Sequence, residues 1–318
     1  MRLAFLRQSA VRWVLLPVAT LTLTSCSGSG EADGPPEGSY QILATTSIVG
    51  DLVATLGEPH VSVQVLMAPS VDPHTYVASE GDVGRMSAAD AVVYNGLHLE
   101  GKMGDLFEGM ARRGKTTFAV AEQLDPTRLI AHPDYADAHD PHVWLSVPLW
   151  METAQHATEF LKSVLPQHAD AFDARLASLT FSMDSLDTWI RDTLQVVAPE
   201  HRLLVTSHDA FQYFGRTYGF EVMGLQGIST ATEAGTADVR LVTDTVASRR
   251  LPAIFIESSV WPRGIEAVQA ATQARGHQVR IGGTLYSDAL GGPDSGADTY
   301  LSMISSNVRT LAQQLSQP

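Results

Sequence analysis

Cysteine is almost missing from this chain: Cys26 is the single one in 318 residues. No disulfide can form within the chain, so stability has to come from a packed core, and about 280 residues beyond the first few dozen are enough for one or two. Long apolar runs are equally scarce. Past the first 25 residues no apolar stretch reaches about 18 residues, so nothing there reads as a membrane-spanning helix. Basic residues are few as well, 21 Lys and Arg against 35 Asp and Glu, a formal net charge of −14. That sign excludes nucleic acid as a partner. An acidic surface favours solubility and suits encounter with cations.

What is present begins with Arg2, Arg7 and Arg12, an apolar run from Trp13 to Leu23, and then Leu23-Thr24-Ser25-Cys26. A basic stretch, a short apolar segment and small residues before a cut site make a secretory signal over residues 1–25. The cysteine after Leu-Thr-Ser resembles a bacterial lipobox, in which the cysteine is lipidated and becomes the mature N-terminus. Cys26 is therefore the expected lipidation site. A buried core thiol fits poorly there, because Ser-Gly-Ser-Gly and Glu-Ala-Asp-Gly-Pro-Pro-Glu-Gly-Ser follow at once. Residues 26–39 read as the lipidated cysteine and a flexible linker. The expected location is outside the cytoplasm, facing periplasm or exterior, held to a membrane by lipid. Removing the signal leaves 18 basic residues against 35 acidic ones, a net charge of −17.

From Tyr40 onward short β-rich runs alternate with amphipathic segments. Strands are expected over 41–46, 61–67, 91–94 and 116–120, with helices over 48–56, 79–86 and 98–111 between them. Strands separated by helices imply βαβ units and a parallel sheet. After Ser146 the pattern is helical through Leu161. Residues 167–197 then run almost without a helix breaker, with Ala171, Phe172, Leu176, Leu179, Met183, Leu186, Ile190 and Leu194 at helical spacing. A helix of that length spans roughly 45 Å. The alternation resumes with strands at 202–206, 222–225, 253–256 and 279–281 and helices at 236–249, 264–275 and 300–314. The expected fold class is α/β, with two parallel-sheet lobes joined by one long rigid helix. The boundaries fall at 40–166 for the first lobe, 167–198 for the connecting helix and 199–318 for the second lobe.

Two short stretches echo each other: Asp72-Pro73-His74-Thr75-Tyr76 and Asp140-Pro141-His142-Val143-Trp144. Proline fixes its own φ and drives the preceding residue towards extended backbone, so each copy holds its histidine on a stiff loop. In open α/β sheets ligands sit outside the carboxyl ends of the strands. Metal-capable residues at those ends are His74 and His142 in the first lobe, and His208 and Asp288 in the second. Three imidazoles and one carboxylate suit a borderline divalent cation. Four protein ligands leave little room for the open position a catalytic metal needs, which points to capture and away from hydrolysis. His208 also reads as a polar residue beside a helix cap, since Ser207 is a good N-cap, and Asp288 reads as a cap of a short turn. Glu257 ends another strand, either as a weak fifth ligand or, the preferred reading, as the acceptor that holds an imidazole ring. His132, Asp134, Asp137 and His139 form either a transient secondary site or an ordinary polar loop. His98 reads as structural, and His60, His156, His168, His201 and His277 as solvent-facing.

These residues resemble a known family: the metal-binding lipoproteins and periplasmic proteins that feed zinc- and manganese-importing ABC transporters, and among them the TroA-like members. The resemblance rests on the two Asp-Pro-His motifs, Tyr94-Asn95-Gly96-Leu97-His98-Leu99-Glu100 and Ser207-His208-Asp209-Ala210-Phe211-Gln212-Tyr213-Phe214. It continues through Gly224-Leu225-Gln226-Gly227-Ile228-Ser229-Thr230, Phe255-Ile256-Glu257-Ser258-Ser259 and Gly282-Gly283-Thr284-Leu285-Tyr286-Ser287-Asp288-Ala289. It spans essentially the whole chain from Ala44 to the last helix. It implies two lobes on a long helix, a metal site in the cleft between them, and His74, His142, His208 and Asp288 as the ligands. It further implies that the protein is not an enzyme but a monomeric receptor for Zn²⁺ or Mn²⁺ with a transporter permease and its ATPase subunit as partners. Relatives that favour manganese often have glutamate at the third ligand, where this chain has His208. Relatives dedicated to zinc often carry a long His-rich loop before the second histidine, and here that loop is short.

Overall fold

The apolar runs of the first half are four or five residues long, and the two central ones, 40–44 and 91–94, are buried along most of their length, as strands covered on both faces require. In the computed structural model, which describes residues 39–133 and 138–317, they form β1 (Tyr40–Ala44), β2 (Val61–Val65), β3 (Ala91–Tyr94) and β4 (Thr116–Ala119). These make one parallel sheet in the order β2-β1-β3-β4, with Ile42 opposite Val63 on one side and Ala91 on the other. Helices α1 (Ser47–Gly57), α2 (Glu80–Ala88), α3 (Gly104–Arg112) and α4 (Val147–Val164) complete this half. The expected signal, Cys26 and the linker up to residue 38 lie outside the described residues, as do Asp134 and Asp137.

The long helix α5 (Ala169–Thr193) buries Phe172, Leu179, Met183, Leu186 and Ile190 along one stripe. It is shorter than the sequence suggests. Tighter 3₁₀ turns at Pro166–His168 and Leu194–Val196 take up both ends, so its 25 residues span about 37 Å.

The second half contains β5 (Leu203–Thr206), α6 (Gln212–Tyr218), β6 (Glu221–Gly224), α7 (Thr236–Arg249), β7 (Ala253–Glu257), α8 (Arg263–Ala274), β8 (Arg280–Leu285) and α9 (Tyr300–Leu315). Its strands pair as β5-β6 and β7-β8, both parallel, and residues of β5, β7 and α7 share one apolar cluster. The last strand runs four residues past the end expected from the sequence. Gly282 and Gly283 hide its continuation from a propensity reading. Gly282 is needed because a Cβ there would lie 2.6 Å from the Phe255 ring, and Gly283 sits at φ +127°.

The two halves are not separate cores. A single buried cluster takes in β1 and α1, Trp144 and Trp150, the α5 stripe, Phe211 and Phe214, and the inner face of α9. Hydrogen bonds cross with it: Trp144 Nε1 donates to the Ser287 carbonyl at 2.7 Å, Tyr300 Oη to the Trp144 carbonyl at 2.9 Å, and Leu290 N to Ser47 Oγ at 2.9 Å.

Several histidines depart from the solvent-facing expectation. His60 and His168 stack with ring centroids 3.6 Å apart beside Phe172. His201 Nδ1 lies 2.9 Å from the Leu315 carbonyl and His277 Nε2 2.7 Å from that of Leu251. His98 is not helical but stands at φ +63°, after Gly96 and Leu97, which also have positive φ. The cause is Glu100, whose buried carboxylate accepts from the backbone N–H of Asn95 and Gly96 and from Thr45 Oγ1, curling the segment back on itself.

One close approach is a direct test of the packing under the second half. A Cβ on Gly224 would lie 2.4 Å from the Asp209 nitrogen and 2.6 Å from the His208 carbonyl carbon, both backbone atoms with little freedom to move. Gly224→Ala is expected to lower unfolding free energy by about 1–3 kcal/mol in urea denaturation and to displace the 208–209 segment.

Candidate metal centre

Each expected ligand sits just past the carboxyl end of a strand or on a loop stiffened by proline, and the fold brings all four together. One ligand atom from each of His74, His142, His208 and Asp288 lies within 4.8 Å of the others, and all four residues are buried. His142 Nε2 is 3.2 Å from His74 Nε2 and 3.3 Å from His208 Nε2. Nitrogens placed about 2.0–2.1 Å from a tetrahedral zinc are themselves about 3.3 Å apart, so these separations are those of a coordination shell. Asp288 closes the ring, Oδ1 at 3.5 Å from His142 Nε2 and Oδ2 at 3.5 Å from His208 Nε2. Its Oδ1 is buried without a hydrogen-bond partner, a costly state for a carboxylate oxygen unless a cation answers it.

The two Asp-Pro-His copies begin alike and end differently. In each, the aspartate Oδ1 accepts from the backbone N–H of the histidine two residues on, at 2.9 Å, which sets the turn. Asp140 Oδ1 also lies 2.7 Å from His142 Nδ1 and fixes that ring with Nε2 facing the cluster. Asp72 instead accepts from Thr75 Oγ1 at 2.9 Å and from Thr230 Oγ1 at 2.6 Å. His208 gets its orientation from Glu257, whose Oε2 is 2.6 Å from Nδ1 and whose Oε1 accepts from the His208 backbone N–H at 2.8 Å. Glu257 thus stands beside the ring nitrogen facing away from the cluster. Asp288 Oδ2 accepts from Ser259 Oγ at 3.0 Å. Asn95 Nδ2 donates to the Pro141 carbonyl at 3.1 Å, so the Glu100-curled segment also steadies the second loop.

Sequence reading missed Asp140 as a ring partner, Ser259, and the Asp72–Thr230 bond. The first had a signal, an aspartate two residues before both histidines. The other two join residues 29 and 158 positions apart and had none.

Electrostatics divide the imidazoles. Burial holds His74 well down, at about 3, with His142 and His208 adding to the effect against Asp288. Burial also opposes charge on His208, but the carboxylates of Glu257 and Asp288 outweigh it and raise His208 well above the ordinary 6.5. Burial favours neutral Asp288, yet His208, followed by His142 and His74, holds it well below the usual carboxylate range. Without a metal, the two carboxylates on either side of His208 therefore favour its charged form.

A cleft of about 1070 Å³ leads to this cluster. His74 lines it, together with His98, His132, His139, Asp209, Glu233 and Asp238; His142, His208 and Asp288 do not, and no Lys or Arg does among the described residues. His139 forms a short antiparallel bridge with Ala131, the neighbour of His132. Burial pushes the Asp209 carboxyl up to about 6, with the Gln212 amide opposing and Asp140 adding.

Against known proteins, the family described as "Zinc-uptake complex component A periplasmic" matches residues 42–314. The chain is 40% identical over 310 residues to the manganese-binding lipoprotein MntA of Bacillus subtilis, covering 98% of this chain and 100% of the relative. It is 40% identical over 288 residues to the zinc-binding protein TroA of Treponema pallidum, covering 91% and 92%. The solved structure of periplasmic zinc-binding TroA from Treponema pallidum superposes with a TM-score of 0.85 at 41% identity, covering 88% of this chain and 100% of that one.

Two expectations follow from the geometry. The raised His208 pKa adds stability to the metal-free protein that is complete below the unfolded value of about 6.5 and lost as pH rises through the folded value. Metal uptake has the opposite sign, because the imidazolium must lose its proton. Zinc affinity is expected to fall about tenfold per pH unit on acidification between about pH 7 and 5.5, with about one proton released per ion in calorimetry across buffers. Glu257→Gln keeps an acceptor for the backbone N–H but removes the charge beside Nδ1, and is expected to weaken zinc binding by about 10–100-fold in competition titration.

Proposed function

The chain belongs to the family of periplasmic zinc-uptake component A proteins, and from that premise we propose that it is a receptor that captures Zn²⁺ or Mn²⁺ outside the cytoplasm and hands it to an ABC-type importer. The observation that carries this reading is the ring of four buried ligand atoms, two from each half, at coordination-shell spacing. His74, His142, His208 and Asp288 hold the ion. Asp140 and Glu257 hold the rings of His142 and His208. The protein performs no reaction: with four protein ligands the shell is closed, and the function consists of affinity and docking. Its partners are a membrane permease and the ATPase subunit that drives it. Cys26 carries the lipid that ties the monomer to a membrane, and the working parts divide at residues 40–166, 167–198 and 199–318.

Zinc fits this donor set better than manganese, because three of the four donors are imidazole nitrogens and nitrogen suits zinc where oxygen suits manganese. The two relatives at 40% identity carry one name for each metal, so both ions belong in the test.

The test is competitive calorimetry on the full chain after stripping it of metal. Wild type is expected to prefer zinc over manganese, and His208→Glu to shift that preference towards manganese by at least about tenfold. If neither ion binds the wild type, the receptor reading is refuted.

A further inference from the structure

The loop between β6 and α7 ties the two halves together directly across the metal cleft. At its base, Leu225 N donates to the Thr206 carbonyl and Gln226 N to the Ser207 carbonyl, both at 2.9 Å, while the Gly227 carbonyl accepts from Asp209 N at 3.2 Å. These bonds fasten it to the segment that bears His208. Further along, Thr230 Oγ1 donates to Asp72 Oδ2 at 2.6 Å, a short bond of the kind that a hydroxyl makes to a charged carboxylate. The other oxygen of Asp72 accepts from the backbone N–H of His74. A single loop therefore runs from the His208 segment in one half to the His74 turn in the other.

Position sharpens the point. Ser229 and Ala231, on either side of Thr230, line the cleft, and His74 is the one ligand of the four that does so too. Like Thr230 and Asp72 themselves, the partners in the other hydrogen bonds between the halves do not line the cleft. Trp144 to Ser287, Tyr300 to Trp144 and Leu290 to Ser47 also have no lining residue beside them, whereas the Asp140 carbonyl that accepts from Tyr213 Oη lies between the lining residues His139 and Pro141. The first three hold the halves together away from the opening, and the fourth holds the turn of His142, a ligand that does not line the cleft. The Thr230–Asp72 bond holds them beside the opening, on the turn of the ligand an ion has to pass.

Resting on the receptor reading above, we infer that Thr230 is a positioning residue that clasps the His74 turn to the second half and sets how fast a captured ion leaves. While the bond is made, His74 stays within reach of His142 and His208. When it breaks, the His74 turn is released from the loop fixed to the His208 segment, and the ion loses its cleft-side ligand first. Thr230 touches no metal, so its effect appears in release and not in the identity of the donors.

The experiment loads the full chain with zinc, mixes it rapidly with excess chelator and follows zinc release, for wild type, Thr230→Val and Thr230→Ser. Valine keeps the shape of threonine and removes its hydroxyl. Release from Thr230→Val is expected to be about tenfold faster, as loss of one hydrogen bond to a charged group implies, and Thr230→Ser to return to the wild-type rate. The thermal midpoint of metal-free Thr230→Val is expected to fall by no more than about 2–4 °C, the effect of losing one hydrogen bond in a chain of this size. Release at the wild-type rate from Thr230→Val overturns the clasp and leaves the receptor reading standing. So does a metal-free midpoint that drops by much more than about 4 °C and recovers in the serine variant, because the residue would then be structural. A wild type that takes up no zinc overturns the receptor reading, and the clasp with it.

Discussion

The constraint on which the rest of the architecture depends is the convergence of four buried donor atoms on one small volume. Three imidazole nitrogens and a carboxylate, all removed from water, make a set that is poorly satisfied by itself: two nitrogens facing each other at 3.2 Å need a proton or a cation between them, and Asp288 Oδ1 has no donor at all. Desolvation on this scale persists only when something of positive charge completes it. Much of the structure serves to hold that arrangement in place. The Asp-Pro turns, the Glu257 and Asp140 carboxylates, the Ser259 hydroxyl and the Glu100-curled segment each remove one freedom from a ligand or its loop. Without a metal, the carboxylates of Glu257 and Asp288 favour a proton on His208 between them. Proton and metal thus compete for one charge-deficient space.

Much of this was legible in the sequence, and the reason is physical. Strands in a covered parallel sheet are written as short apolar runs, and helices between them as amphipathic periods, so β1, β3, β4 and β5 appear within about two residues of their expected bounds. A rule about strand ends then selected His74, His142, His208 and Asp288 from 11 histidines and 35 acidic residues. What stayed hidden depends on contacts between distant residues. Asp72 and Asp140 occupy the same motif position, and only the fold reveals that one holds a ring nitrogen and the other a threonine from the opposite half. The stack of His60 on His168 joins the start of β2 to the turn between α4 and α5, and no local pattern encodes it. Likewise β8 continues through two glycines, because its neighbour Phe255 requires the missing Cβ and not because glycine favours strands.

Membership of a zinc-uptake family and 40% identity to proteins named for two different metals set the question of selectivity in a particular place. The donor atoms offer three nitrogens and one carboxylate, and the carboxylates of Glu257 and Asp288 tune how readily His208 sheds its proton. Selectivity is thus shared between the ligands and the residues behind them.

The single apolar cluster that runs from the first sheet through α5 to α9 has a consequence for how the molecule melts. Neither half can lose its share of this cluster without exposing the other's, so the described chain is built to unfold as one cooperative unit despite its two lobes. An ion held in the cleft draws on donors from both lobes and so stabilises the entire unit at once. The population of cargo-loaded molecules can then be read from global stability, with no need for a probe at the site.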